Sequence, residues 1–147
     1  MKIQLNIFLV GFLLCLTGLL GAQEISNKRS VNDTLAYLKK FEINKDKYIG
    51  KPFSLLLKNM VQIQPKKAKS TFNADVNNSI SSTIFTFSNK DINSDKEITL
   101  LVKWKTDEIP STPIEFFEQE HNYRYTPSEK NFFEKKVVKD IMVYKQQ

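Results

Sequence analysis

The chain has little of several residues on which common protein chemistry depends. Cys15 is its only cysteine and His121 its only histidine, and four of its 147 residues are glycine. Cys15 lies in an apolar N-terminal run, so removal of that run would leave a domain without disulfides or a cysteine nucleophile. Gly50 is the only glycine outside this region. Since backbone loops that wrap phosphates depend on glycine, we expect no nucleotide cofactor.

The N-terminal residues have the pattern of an export signal. One lysine precedes a nearly unbroken apolar stretch over residues 7–20, and the small residues Gly21 and Ala22 follow it. The stretch is shorter than the roughly 20 residues that a helix needs to cross a bilayer. We predict a signal peptide over residues 1–22 that is cleaved after Ala22; a retained membrane anchor is the alternative.

This leader predicts a periplasmic or secreted protein without a transmembrane anchor after cleavage. Leu14 is too large to precede a lipid-modified cysteine, so Cys15 is interpreted as one more apolar residue of the leader. A small exported domain without cysteine is more typical of bacterial export than of disulfide-stapled eukaryotic domains. Residues 23–30 are polar and are interpreted as a flexible tether, and residues 31–147 are long enough for one domain with its own core.

The positive charge of the chain does not indicate a nucleic-acid partner. The formal net charge is +6, which could attract nucleic acid or an anionic lipid surface. However, Arg29 and Arg124 are the only arginines, and arginine is the residue suited to bidentate phosphate contacts. We therefore interpret the many lysines as a solubilising surface, and export also argues against nucleic acid.

The periodicity of apolar residues predicts four helices and four strands. Helices are predicted from about Val31, from Pro52, from Ser111 or Thr112 to about His121, and from Thr126 to about Glu134. Strands are predicted at Val61–Gln64, Ile80–Ser88, Glu97–Lys105 and Val137–Tyr144, with a weak strand around Thr71–Phe72 as an alternative to a loop. The order α-α-β-β-β-α-α-β predicts a single α+β domain, with an antiparallel sheet of about four strands and helices packed on one side.

Catalytic and metal-binding signals are weak. Glu118 and His121 are three residues apart on a predicted helix and so share a face. That spacing occurs in carboxylate metal sites, but such sites need further ligands, and the chain has no second histidine. No serine has the G-x-S-x-G context of a hydrolase nucleophile. We therefore predict no metal site and assign no catalytic residue, and a small carboxylate-based hydrolase remains one alternative.

The remaining candidates for function are basic and aromatic residues in predicted loops and strands. Aromatic and arginine side chains often anchor protein interfaces. The main hypothesis is therefore an exported, non-enzymatic module that binds another protein in the envelope or outside the cell, as an inhibitor, immunity protein or envelope accessory would. A carrier with an apolar pocket lined by phenylalanines is a further alternative. The candidate contact residues are Lys66, Lys67, Lys69, Trp104, Tyr123, Arg124 and Tyr125.

Overall fold

A computed structural model describes residues 33–73, 79–107 and 111–147. The predicted signal peptide and the predicted tether at 23–30 lie outside these described residues, so both stay predictions. Within the described ranges, no helix is long and apolar enough to cross a membrane.

The described residues confirm the predicted α+β architecture and the predicted element order. The four helices are α1 (Thr34–Ile43), α2 (Phe53–Asn59), α3 (Thr112–Glu120) and α4 (Pro127–Phe133). The four strands are β1 (Lys67–Phe72), β2 (Ile80–Thr86), β3 (Ile98–Trp104) and β4 (Val138–Lys145), and a short 3-10 turn at Lys45–Lys47 follows α1.

The sheet is antiparallel, with strand order β1-β2-β3-β4. Strands β1 to β3 are consecutive neighbours, and the chain passes through α3 and α4 before β4 pairs with β3. The register aligns Phe85 with Leu100 and Leu100 with Val143, and all three are buried. Because side chains alternate along a strand, this row defines the face that packs against the helices.

The first strand lies further along the chain than the sequence predicted. Residues 61–64 form no strand, and β1 instead spans Lys67–Phe72, which includes the weak strand predicted around Thr71–Phe72. In β1, Ala68 and Ser70 are buried while Lys67 and Lys69 are partly exposed. The alternation is therefore present, but small and polar residues carry it, and a search for apolar alternation does not detect it.

The core between the sheet and the helices consists largely of aromatic rings. Phe85 of β2 lies 5.0 Å from Phe53 of α2 and 5.4 Å from Phe133 of α4, centroid to centroid. Trp104 of β3 stacks on Phe133 at 5.7 Å. Such pairs add to the hydrophobic free energy of burial. The region where a carrier would need a phenylalanine-lined pocket is filled by these rings.

A turn at Gly50 joins α1 to α2 alongside the start of β4. Gly50 has φ +75°, a conformation that side chains other than glycine rarely adopt. Its amide donates to the carbonyl of Val138 at 2.8 Å, and the Val138 amide donates to the carbonyl of Lys51 at 3.0 Å. The one glycine of the predicted domain thus lies at a turn whose positive φ favours glycine.

Carboxylates of helix residues accept hydrogen bonds from backbone amides on both outer strands of the sheet. On β1, the Ser70 amide donates to Oε2 of Glu118 at 3.1 Å. On β4, the Val143 amide donates to Oε1 of Glu42 at 2.9 Å. These amides point away from the neighbouring strand, and unpaired edge amides invite pairing with another chain. Here, helix side chains satisfy them.

Candidate functional site

A short segment between α3 and α4 pairs with the outer edge of β1. Lys67 and Arg124 form an antiparallel bridge. The Ala68 amide donates to the carbonyl of Tyr123 at 2.9 Å, and the Tyr125 amide donates to the carbonyl of Lys66 at 2.8 Å. Two stretches that are far apart in sequence therefore meet at this edge of the sheet.

The turn that leads into this segment ends α3 with a Schellman motif. The Tyr123 amide donates to the Glu118 carbonyl at 2.7 Å, and the Asn122 amide donates to the Gln119 carbonyl at 3.2 Å. Asn122 has φ +50° and Tyr123 has φ +60°. Asparagine tolerates the left-handed region better than most residues, whereas a tyrosine there is strained. The turn carries the chain from α3 back onto β1.

The structure brings most of the candidate contact residues together and separates one. Nζ of Lys69 lies 5.7 Å from the centre of the Tyr123 ring, a cation–π distance. Trp104 lies in the core with 3% of its surface exposed, and its Nε1 donates to Oγ1 of Thr83 at 2.9 Å. Trp104 is therefore not part of this surface. We call the other candidates the basic edge: Lys66, Lys67, Lys69, Tyr123, Arg124 and Tyr125.

A cleft of about 670 Å³ opens beside the basic edge. Its lining includes four candidates and four residues that the sequence did not single out as contact residues. Asn89 comes from the β2–β3 connection, and the others flank the paired segments. Residues of these types are common in loops, so the sequence alone does not mark them as part of a site. The lining residues are Pro65, Lys66, Lys67, Asn89, Asn122, Arg124, Tyr125 and Thr126.

Three cations of the basic edge, Lys66, Lys69 and Arg124, have no carboxylate partner among the residues that the structure describes. Lys67 has one, since its Nζ lies 3.6 Å from Oδ1 of Asp91. Lys66 and Arg124 form no such ion pair within the described ranges. Arg124 is nevertheless oriented, because its Nε donates to the carbonyl of His121 at 3.3 Å.

Tyr125 joins this edge to the aromatic core. Its ring lies 5.7 Å from Phe85 in an edge-to-face arrangement and 6.5 Å from Phe133. Its hydroxyl is buried and has no hydrogen-bond partner among the described residues. Burial raises the pKa of this phenol, so it stays protonated. Tyr125 therefore contributes its packing rather than a free hydroxyl.

Glu118 and His121, the pair with helical spacing, do not act on a common partner. Glu118 is buried, its Oε2 binds the Ser70 amide, and its Oε1 has no partner within the described chain. Burial raises the pKa of Glu118 above its ordinary value of 4.5. His121 turns elsewhere: its Nδ1 lies 2.6 Å from Oε1 of Glu129, and its ring stacks on Phe117 at 5.9 Å.

Glu129 belongs to a capping box at the start of α4, the helix that the sequence predicted from Thr126. Thr126 Oγ1 accepts from the Ser128 amide at 3.2 Å, and the Thr126 amide donates to Oε2 of Glu129 at 2.8 Å. Although burial alone would raise the pKa of Glu129, hydrogen bonds from Thr126 and His121 hold it below its usual value. The Glu129 carboxylate thus binds both His121, at the end of α3, and the Thr126 amide, at the start of α4.

In the described chain, no three histidine, cysteine, aspartate or glutamate side chains are grouped closely enough to hold a metal ion. The site is a basic, partly aromatic cleft at a sheet edge. The nearby acids Glu118 and Glu129 are bound within the fold, to the Ser70 amide and to the Thr126 amide and His121. No family model, curated protein or solved structure matches this chain.

Proposed function

We propose that the chain is an exported, non-enzymatic module that binds another protein through the basic edge. One observation carries the proposal: Lys66 and Arg124, two cations without a carboxylate partner in the described chain, stand together at an ordered cleft. A single cation on a protein surface is usually surrounded by water. Cations that are grouped at a concave site favour the binding of a negatively charged partner.

The arrangement of the acidic residues favours binding over hydrolysis. A carboxylate-based hydrolase needs two acids that face one substrate across a few ångströms. Glu118 is bound to a strand amide, and Glu129 is bound to its own helix cap and to His121. Both acids are buried, so the hydrolase alternative has less support than the binding module.

Photo-crosslinking in the cells that express the full chain tests this proposal. A photoreactive amino acid is placed at Lys66 or at Arg124, and in a matched control at Lys139. Lys139 is also an exposed lysine but lies on β4, the opposite edge of the sheet. We expect a defined protein adduct from the first two positions and not from the third. Equal labelling from all three positions, or no adduct from any, would contradict the proposal.

Export is tested separately by sequencing the N-terminus of the product recovered outside the cytoplasm. Cleavage after Ala22 would make Gln23 the first residue. Recovery of a chain that still begins at residue 1 and pellets with membranes would favour the retained anchor instead.

A further inference from the structure

Most buried or partly buried lysines of the described chain have a carboxylate close by, whereas Lys66 and Arg124 are exposed cations that lie together at one cleft. Lys136 is bound to both carboxylate oxygens of Asp107 at 2.9 and 2.8 Å, and Lys45 is 2.7 Å from Asp140. Lys66 and Arg124 lack such a partner in the described ranges, although they line one cleft. Their charge is therefore available to a group from outside.

Arg124 is held so that one end of its guanidinium has no partner among the described residues. Its Nε is engaged by the His121 carbonyl, and its backbone is paired with Lys67 of β1. The two terminal Nη groups lie at the other end of the planar guanidinium. They form the fork that matches the two oxygens of a carboxylate. Less side-chain entropy is lost on binding when the arginine is already oriented.

The remaining walls of the cleft suit the chain that would carry such a carboxylate. The side chains of Asn89, Asn122 and Thr126 can exchange hydrogen bonds with peptide groups. Pro65 and the Tyr125 ring supply apolar contact. A cleft of about 670 Å³ is concave, whereas binding to a membrane surface depends on a basic patch that can lie against lipid headgroups.

We propose that this cleft binds an aspartate or glutamate side chain of an acidic segment of the partner protein, with Arg124 as the bidentate anchor and Lys66 as the second cation. The inference rests on the proposed function and adds the chemistry of the partner.

The test measures binding of a short, fluorescently labelled poly-L-glutamate peptide to the mature chain at physiological salt, by fluorescence anisotropy. The key variant is Arg124→Lys, which keeps the charge and removes the fork. We expect its dissociation constant to be about tenfold higher, as loss of a charge-assisted hydrogen bond predicts. Lys66→Gln tests the second cation without disturbing Arg124. Lys139→Gln removes one charge at the opposite edge and should leave binding nearly unchanged.

Each outcome supports or overturns the inference. Weaker binding by both the Arg124 and Lys66 variants, with Lys139→Gln unaffected, supports it. Equal binding by all variants would show general charge attraction and overturn it. So would binding only to anionic phosphatidylglycerol vesicles and not to the peptide. Crosslinks from Lys66 and Arg124 to a protein, without peptide binding, would leave the proposed function standing and remove the carboxylate chemistry. Peptide binding without a protein crosslink would remove the proposed function instead.

Discussion

Truncation of Phe85 to alanine tests whether the aromatic core holds both the fold and the basic edge. Phe85 is fully buried at the centre of a ring cluster, with Phe53, Phe133 and Tyr125 at centroid distances of 5.0, 5.4 and 5.7 Å. Its removal leaves a cavity that these rings cannot fill without moving. The Tyr125 contact also links it to the segment that carries Arg124.

The expected loss is large compared with the stability of a domain of this size. Phenylalanine-to-alanine changes in packed cores cost about 3–5 kcal/mol. Single domains are stable by about 5–15 kcal/mol in total, so Phe85→Ala should remove about a fifth or more of the free energy of unfolding. At about 4 °C per kcal/mol, the melting temperature should fall by about 12–20 °C.

Urea unfolding monitored by tryptophan fluorescence measures this change directly. Trp104 is the only tryptophan, is 3% exposed, and lies 6.4 Å from the Phe85 ring. Phe116→Ala is the matched control, because that ring is 60% exposed on α3 and its loss should cost less than about 0.5 kcal/mol. A loss below about 1 kcal/mol for Phe85→Ala, with an unchanged dependence on urea concentration, would refute the packing described for this core.

Three smaller changes probe the residues around the site. Tyr125→Phe removes a buried hydroxyl without a partner in the described chain and should raise the free energy of unfolding by about 1 kcal/mol, measured by urea denaturation. Asn122→Ala places alanine at φ +50° and should lower it by about 1 kcal/mol, while Asn122→Gly should not; thermal melts compare the two. Because burial raises the pKa of Glu118, its protonated form favours folding at low pH, and stability should decrease as the pH rises above 4.5 through the folded-state pKa. In Glu118→Gln, unfolding curves across that range should show a weaker pH dependence; an unchanged dependence would assign it to other groups.

Local patterns in the sequence predicted much of the fold. The alternation of Leu100, Val102 and Trp104 places β3 and its buried face, because each side chain there is apolar and the opposite face is largely polar. The capping box from Thr126 to Glu129 is visible because all its atoms belong to four consecutive residues. Such features depend on neighbours along the chain, and a single sequence contains them.

The candidate site could be predicted only in part from such local patterns. The sequence draws attention to Lys66 and Arg124 as types of residue, but not to their pairing across the edge of β1, which depends on how α3 ends. The same holds for His121, whose partner is Glu129 rather than the Glu118 that helical spacing suggests. Asn89 carries no signal at all, since an asparagine in a turn is ordinary.

The carboxylates of Glu118 and Glu42 on the two outer strands have a consequence for the protein at high concentration. A four-stranded sheet with open edges can add strands from other copies and grow into a fibre. In this chain an added strand would have to displace the Glu118 carboxylate from the Ser70 amide at one edge, or the Glu42 carboxylate from the Val143 amide at the other. Growth at either edge therefore begins with the loss of a hydrogen bond to a carboxylate. Conditions that detach α1 or α3 from the sheet are therefore the ones under which polymerisation should begin.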